Sequence, residues 1–179
     1  MVKVLIKKLD PKVKLPIYKT EGSSGMDLMA FTDNPIKIPS NSSAIIPTGI
    51  SLAIPNDVEI QIRPRSGLAA KSNIGVLNSP GTIDSDYRGE LKIILFNHGN
   101  KEFIVNNNDR IAQIVLMPIL KIHFEEVDEL PKTFRGSGGF GSDFNEVVIL
   151  YNGKKEKISR IKKSLLADQI VEKVISQLN

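Results

Sequence analysis

Leu91-Lys92-Ile93-Ile94-Leu95-Phe96 runs directly into Asn97-His98-Gly99-Asn100. A short, almost wholly apolar run closed by turn-forming residues reads as a β-strand and its exit turn. The same rhythm extends to both sides. Val2–Leu5, Ser43–Ile46, Glu59–Ile62 and Ile111–Met117 alternate or are fully apolar. Pro39, Pro47–Gly49, Pro55–Asp57 and Asn106–Asn108 punctuate them. Many short strands separated by such turns predict a mainly β fold, a barrel or jelly roll, from Val2 to about Val127. One interruption, Ser66–Asn73 (SGLAAKSN), reads as a short helix after Pro64. No internal repeat is present.

Beyond this region the composition changes. Lys132–Ser142 holds four glycines, too many for a packed element, and reads as a mobile arm. Glu146–Tyr151 reads as one more strand, and Asn152–Gly153 as a turn. Lys155–Leu178 reads as helix, with Leu166, Ala167, Ile170, Val171, Val174, Ile175 and Leu178 on one stripe. Ile158, Ile161 and Leu165 fall on another face, which predicts a bend or a second contact near Ser164. The expected organisation is a β domain over 1–131, an arm over 132–145, and an extension over 146–179, strand then amphipathic helix. A stripe of that kind calls for cover, and docking on the chain's own barrel or a neighbouring one is expected.

The 179 residues include no cysteine, which excludes disulfides and thiolate metal sites. No apolar run approaches the ~20 residues of a membrane helix. Met1–Asp10 offers no signal-peptide core, so a cytoplasmic protein without membrane attachment is expected. The net charge of +4 is concentrated: seven Lys/Arg against four Asp/Glu lie in residues 146–179. A nearly neutral body argues against a broad nucleic-acid surface.

Five segments carry polar residues that ask for an explanation. In Gly25-Met26-Asp27-Leu28-Met29-Ala30, Asp27 is either an edge-strand charge or a functional carboxylate. In Arg63-Pro64-Arg65-Ser66-Gly67-Leu68-Ala69, a helix opens after a proline turn. Its free N–H groups with Arg65 form an anion site, unless Ser66 is an ordinary N-cap. Gly81-Thr82-Ile83-Asp84-Ser85-Asp86-Tyr87-Arg88-Gly89-Glu90 is either a solvated hairpin tip or a water-activating acid beside an aromatic wall. In Asp109-Arg110-Ile111-Ala112-Gln113-Ile114-Val115, Arg110 and Gln113 interrupt an apolar strand and need partners, a structural ion pair or a ligand. Arg135-Gly136-Ser137-Gly138-Gly139-Phe140-Gly141-Ser142 is either a linker or a lid whose Arg takes phosphate and whose Phe stacks.

In this order the five segments resemble the five motifs of the trimeric dUTP pyrophosphatase family, over roughly residues 2–142. GTIDSDYRGE and RGSGGFGS are the most specific, and RPRSGLA and RIAQIV agree. The resemblance implies a jelly-roll-type β-barrel that assembles as a homotrimer and hydrolyses dUTP to dUMP and pyrophosphate with Mg²⁺. That activity limits uracil in DNA and supplies dUMP for thymidylate synthesis. Each site is shared: Asp27, Ser66 and Gln113 from one subunit, Asp84 and Tyr87 from a second, Phe140 from a third. By the same resemblance Asp84 is the general base, and Tyr87 underlies the deoxyribose. Asn78 and Gly81 belong to the uracil-reading hairpin. Arg65, Ser66, Gly67 and Gln113 hold phosphates. Arg135 and Ser142 reach the γ-phosphate, Phe140 covers the uracil, and Gly141 is a further substrate-binding residue. Mg²⁺ is held by phosphates and waters, with Asp27 acting through water.

Two features depart from the family pattern. Asp143-Phe144-Asn145 follows GFGS where Thr-Gly is usual, which puts a negative charge near the expected γ-phosphate. About 34 residues then follow where family members often end. Two alternatives are weighed. A dCTP deaminase shares the fold but lacks this glycine–Phe arm. A dUTP-responsive binding protein would use its tail on a partner, but the intact Asp84 segment favours catalysis.

Overall fold

The computed structural model describes residues 2–133, 135–137, 144–151 and 153–178; of residues 144, 145, 151, 177 and 178 only the backbone is described. The chain divides into two compact units, Met1–His123 and Phe124–Asn179. The first therefore ends before the boundary expected at 131.

The first unit contains eleven strands and one helix. In chain order they are β1 (Leu5–Lys8), β2 (Met26–Met29), β3 (Ile36–Ile38), β4 (Ser42–Pro47), β5 (Ile50–Ala53), β6 (Val58–Arg63), α1 (Ser66–Ser72), β7 (Ile74–Val76), β8 (Gly81–Ile83), β9 (Lys92–Asn97), β10 (Phe103–Val105) and β11 (Arg110–Pro118). The mainly β class read from the sequence holds. The strands form separate small sheets rather than one closed barrel: β2-β11-β6-β8, β4-β9-β7, β1-β5 and β10-β3, every pair antiparallel.

The alternation that suggested strands also sets what they bury. Along β6, Val58, Ile60 and Ile62 are buried, while Glu59, Gln61 and Arg63 face outward and are half-buried. Along β9, Ile93, Leu95 and Asn97 point inward. A side-chain period of two puts each set on one face. These residues join Leu28, Ile38, Ile46, Ile50, Ile74, Val105, Ile111 and Ile114 in one core. Asn97 is polar and buried, yet satisfied: its Nδ2 donates to the Ile38 and Lys101 carbonyls at 2.9 and 2.8 Å, and its Oδ1 accepts the Gly99 N–H at 2.9 Å. No buried side-chain polar atom of the described residues is left without a partner.

The predicted short helix is α1. It ends on Asn73, which takes a left-handed conformation (φ 54°) and donates its N–H to the Ala69 carbonyl. Asparagine tolerates that region better than most side chains.

In the second unit, β12 (Phe144–Tyr151) pairs antiparallel with β13 (Lys154–Lys162), and α2 (Lys163–Leu178) follows. This corrects the reading of Lys155–Leu178 as one helix: residues 154–162 are strand. Gly153 at φ 72° reverses the chain. An Asn-Gly sequence favours a tight hairpin, and pairing with β12 then outweighs the helical preference of the lysine-rich stretch. The expected break near Ser164 is this change of element. α2 packs on its own hairpin, with Leu166 and Ile158 buried. Ile170, Val171, Val174 and Ile175 stay more than 40% exposed, so most of the predicted stripe is uncovered within the unit. A two-stranded hairpin is about 5 Å between strands and offers a helix only a narrow face. No helix of the described residues is long and apolar enough to cross a membrane.

Candidate active site

The polar cluster of the four-stranded sheet is built around Asp27. β2 and β11 set Asp27 opposite Gln113, and β11 and β6 set Gln113 opposite Arg63. Gly25 makes the approach possible, because a Cβ there would lie 2.8 Å from Gln113 Oε1 and 3.1 Å from the Ile114 carbonyl. Arg65, just beyond β6, donates Nε–H to Asp27 Oδ1 at 2.7 Å, and Arg110 donates Nη1–H to Oδ2 at 3.2 Å. Arg65 Nη1 also donates to the Arg110 carbonyl at 3.1 Å, and Gln113 Nε2 donates to the Pro64 carbonyl at 2.9 Å. Asp27 and Arg65 are mostly buried, Arg110 half-exposed. A carboxylate held by two guanidinium groups fixes both arginines in place.

Ser66 is not the N-cap. Arg65 occupies that position in an extended conformation (φ −92°, ψ 125°) and makes no side-chain cap, so Ser66 and Gly67 form the first turn. No acid lies in that turn, and the space around Gly67 is open. The start of α1 therefore presents uncapped partial positive charge beside Arg65, which suits an anion.

The second cluster lies on the turn from β8 into β9. Tyr87 donates its N–H to the Asp84 carbonyl at 3.2 Å and its hydroxyl to the Glu90 carbonyl at 3.0 Å. Its ring lies against Gly89, where a Cβ would come within 2.6 Å of Cζ. Arg88 donates to the Ser85 and Tyr87 carbonyls at 2.7 and 2.9 Å. A cavity of about 210 Å³ opens here, lined among others by Asp84, Tyr87, Glu90 and Lys92. Asp84 is exposed. Asn78 belongs to the β7–β8 turn, and its Nδ2 would be 3.2 Å from a Cβ at Gly81.

One chain does not bring the two clusters together. Ile83 of β8 pairs with Ile60 of β6, whereas Gln113 of β11 pairs with Arg63 at the other end. At ~3.3 Å per residue along β6, and ~4.8 Å to the strand on either side, the Asp84 and Gln113 backbones lie on the order of 15 Å apart. Asp27, one strand further out, is more distant still.

Of the arm, Arg135 lies among the described residues, in the turn where Gly136 (φ 51°) donates its N–H to the Thr133 carbonyl at 3.2 Å. Phe140, Gly141, Ser142 and Asp143 lie outside them. Two residues absent from the predicted site have defined roles. Arg110 is the second partner of Asp27. Glu90 ties the Asp84–Tyr87 turn to the body, its Oε1 accepting the Gly49 N–H at 2.9 Å. Both stood inside segments read as functional; for Arg110 the need for a partner was the signal, for Glu90 none was.

Among known proteins, the family model described as dUTPase matches residues 11–143. Deoxyuridine 5'-triphosphate nucleotidohydrolase of Rickettsia massiliae (strain Mtu5) is 52% identical over 143 residues, covering 79% of this chain and 97% of that protein. The enzyme of the same name from Clostridium acetobutylicum is 52% identical over 142 residues, with the same coverage. Among solved structures, Staphylococcus bacteriophage 80alpha dUTPase with dUpNHpp superposes with a TM-score of 0.69 at 22% identity, covering 78% of this chain and 97% of that one. A mutant dUTPase of phage phi11 of S. aureus, described with a structural Mg(II) ion, gives 0.66 at 19% identity, covering 73% and 99%. These two likenesses carry the fold; the family rests on the sequence matches, and residues 144–179 lie beyond the family model. With its Asp27–Arg65–Gln113 cluster, its Asp84–Tyr87 hairpin and the match across 11–143, the chain belongs to the dUTPase family.

Proposed function

We propose that the protein hydrolyses dUTP to dUMP and pyrophosphate as a homotrimer with shared sites, and that it does so in the cytoplasm with Mg²⁺. The observation that carries this reading is the separation along β6. The base at Asp84 and Gln113 of the phosphate cradle (Arg65, Ser66, Gly67 and Gln113) have backbones about 15 Å apart in one chain. A base must come within hydrogen-bond reach of the water it activates. The hairpin of one copy facing the cradle of another meets that requirement.

The reaction follows from the groups. The cradle fixes the triphosphate so that its α-phosphorus faces the neighbouring hairpin. The Asp84 carboxylate accepts a proton from a water, whose oxygen bonds to that phosphorus. The bond from the α-phosphorus to the bridging oxygen breaks, and pyrophosphate leaves with the electron pair. Tyr87, held against Gly89, underlies the deoxyribose and leaves no room for a 2′-hydroxyl. Asn78 and Gly81 shape the uracil pocket; Arg135, Phe140, Gly141 and Ser142 are given to substrate binding on the family resemblance.

The donor set fits a cation that arrives with its substrate. Among the described residues no group of three or more His, Asp or Glu is placed to hold a metal. Asp27 has each oxygen engaged by an arginine, which leaves lone pairs for water but no vacant chelate. Mg²⁺ keeps several waters and binds through phosphates, so such an outer contact suits it. Bound Mg²⁺ would offset the charge that develops on the phosphate chain. By this activity the protein limits uracil in DNA and supplies dUMP for thymidylate synthesis.

Pyrophosphate release from dUTP, dCTP, dTTP and UTP with Mg²⁺ tests the reading. Turnover restricted to dUTP is expected. Release of ammonia from dCTP, or tight dUTP binding without turnover, would overturn it.

A further inference from the structure

The Asp84–Tyr87 turn is a four-residue turn and mostly exposed, yet it has to hold a base and a sugar wall within a fraction of an ångström. Beside the bonds of Arg88 within the turn and of Leu91 at its exit, one side chain reaches from it to the β4–β5 corner. Glu90 is only 21% exposed and faces the same cavity as Asp84 and Tyr87. Its Oε1 accepts the Gly49 N–H at 2.9 Å, its Oε2 lies 3.6 Å from Lys92 Nζ, and its backbone carbonyl accepts the Tyr87 hydroxyl at 3.0 Å.

The other end of this link is rigid. Gly49 sits between β4 and β5 at φ 68°, a left-handed conformation, and a Cβ there would lie 2.5 Å from Val13 Cγ2 and 3.0 Å from Phe31 Cδ1. The adjoining Thr48 is buried and donates its hydroxyl to the Leu91 carbonyl at 2.6 Å, and the Leu91 N–H donates to the Ile50 carbonyl. The β4–β5 corner is thus locked into the core, and it aims one N–H at Glu90. The lysine is half-exposed and 3.6 Å away, so solvent screens that ion pair; the short bond to Gly49 dominates.

We infer that Glu90 is a positioning residue for dUTP hydrolysis: through the Gly49 N–H it fixes the Asp84–Tyr87 turn to the core and sets the pose of the base and the phenol. The inference rests on the proposed role of that turn. Displacing a reacting group by about 1 Å costs up to ~10²-fold in rate. Acceptance of the N–H, not the charge, is what matters, so a glutamine should serve and a shorter aspartate should not.

The test uses the full-length protein in four forms, wild type, Glu90→Gln, Glu90→Ala and Glu90→Asp, with Asp84→Asn as reference. Each is assayed for kcat and KM on dUTP, for the dUTP-to-UTP ratio of kcat/KM, and for amide hydrogen exchange over residues 84–90. The alanine and aspartate forms should lose ~10- to 100-fold in kcat, with KM changed less than about threefold. Their sugar discrimination should fall about tenfold, and residues 84–90 should exchange faster. Glutamine should stay within about threefold of wild type in every readout. If glutamine behaves like alanine, or if alanine and aspartate keep wild-type kcat and discrimination while Asp84→Asn is inactive, the inference is wrong and the activity assignment stands. If Asp84→Asn itself turns over normally, the assignment beneath it fails. Should alanine not fold, the glutamine–aspartate contrast decides.

Discussion

Arg65 Nε and Asp27 Oδ1 are 2.7 Å apart, joining the start of α1 to the edge strand β2 across 38 residues of sequence. The bond does two things at once. It neutralises an acid beside a site proposed to take a triphosphate, and it holds the guanidinium of the residue at the helix's cap position. Removing the acid should therefore loosen the cradle and leave two cations without their shared partner.

Asp27→Ala should destabilise the protein by about 1–3 kcal/mol, the usual cost of stranding a mostly buried hydrogen-bonded partner. A lowered urea midpoint with an unchanged slope is the signature. The Mg²⁺ concentration needed for half-maximal rate should also rise, since Asp27 is the carboxylate proposed to contact the ion's waters. A variant with wild-type stability and wild-type Mg²⁺ dependence would show the cluster to be incidental.

Asp84→Asn should lower kcat by roughly 10²–10⁴, the range for losing a general base. Asp84 is exposed and supports no core contact, so folding should be unaffected. Calorimetry with a non-hydrolysable dUTP analogue should show retained binding.

Tyr87→Ala should raise kcat/KM for UTP relative to dUTP while leaving rejection of dTTP largely intact. Tyr87→Phe separates the ring from its hydrogen bond to Glu90. If the phenylalanine form keeps sugar discrimination and the alanine form loses it, the ring face is the discriminating element. An unchanged UTP-to-dUTP ratio in both would make Tyr87 structural.

Truncation after Val127 should leave a folded body. Every buried hydrophobic side chain of the first unit lies between Val13 and Val115, so its core is complete without the extension. Most activity should go with the arm. Size-exclusion mass and a pyrophosphate assay check both halves; a fully active truncated form would reduce residues 132–142 to a linker.

The sequence was most legible where local pattern and final environment coincide. The run Leu91–Phe96 is β9, shifted by one residue, and SGLAAKSN is α1 with Asn73 as its stop. Both are decided by short-range periodicity and by one turn residue. Residues 154–162 misled because the deciding partner, β12, lies across a turn, and lysine-rich strand and helix look alike in isolation. The first strand likewise spans Leu5–Lys8, exposed throughout, where the strand-like run was read as Val2–Leu5. Asp27 and Gln113 were legible as polar residues out of place. That Arg65 rather than Ser66 would take the cap position was not, because serine is a preferred cap residue and arginine is not. Glu90 was invisible for another reason: its partner is a backbone N–H 41 residues away, and no side-chain pattern announces it.

The spread of groups along β6 has a genetic corollary. A lesion at Asp84, in the turn after β8, and a lesion at Arg65, just beyond β6, would in a shared-site assembly damage different interfaces of the same subunit. Chains carrying only one of the two lesions would each be inert alone. Co-expressed, they should form hybrids in which a sound hairpin from one allele faces a sound cradle from the other, reviving about a quarter of the sites under random mixing. A single gene would then show complementation between its own alleles, a pattern usually taken to mean two genes.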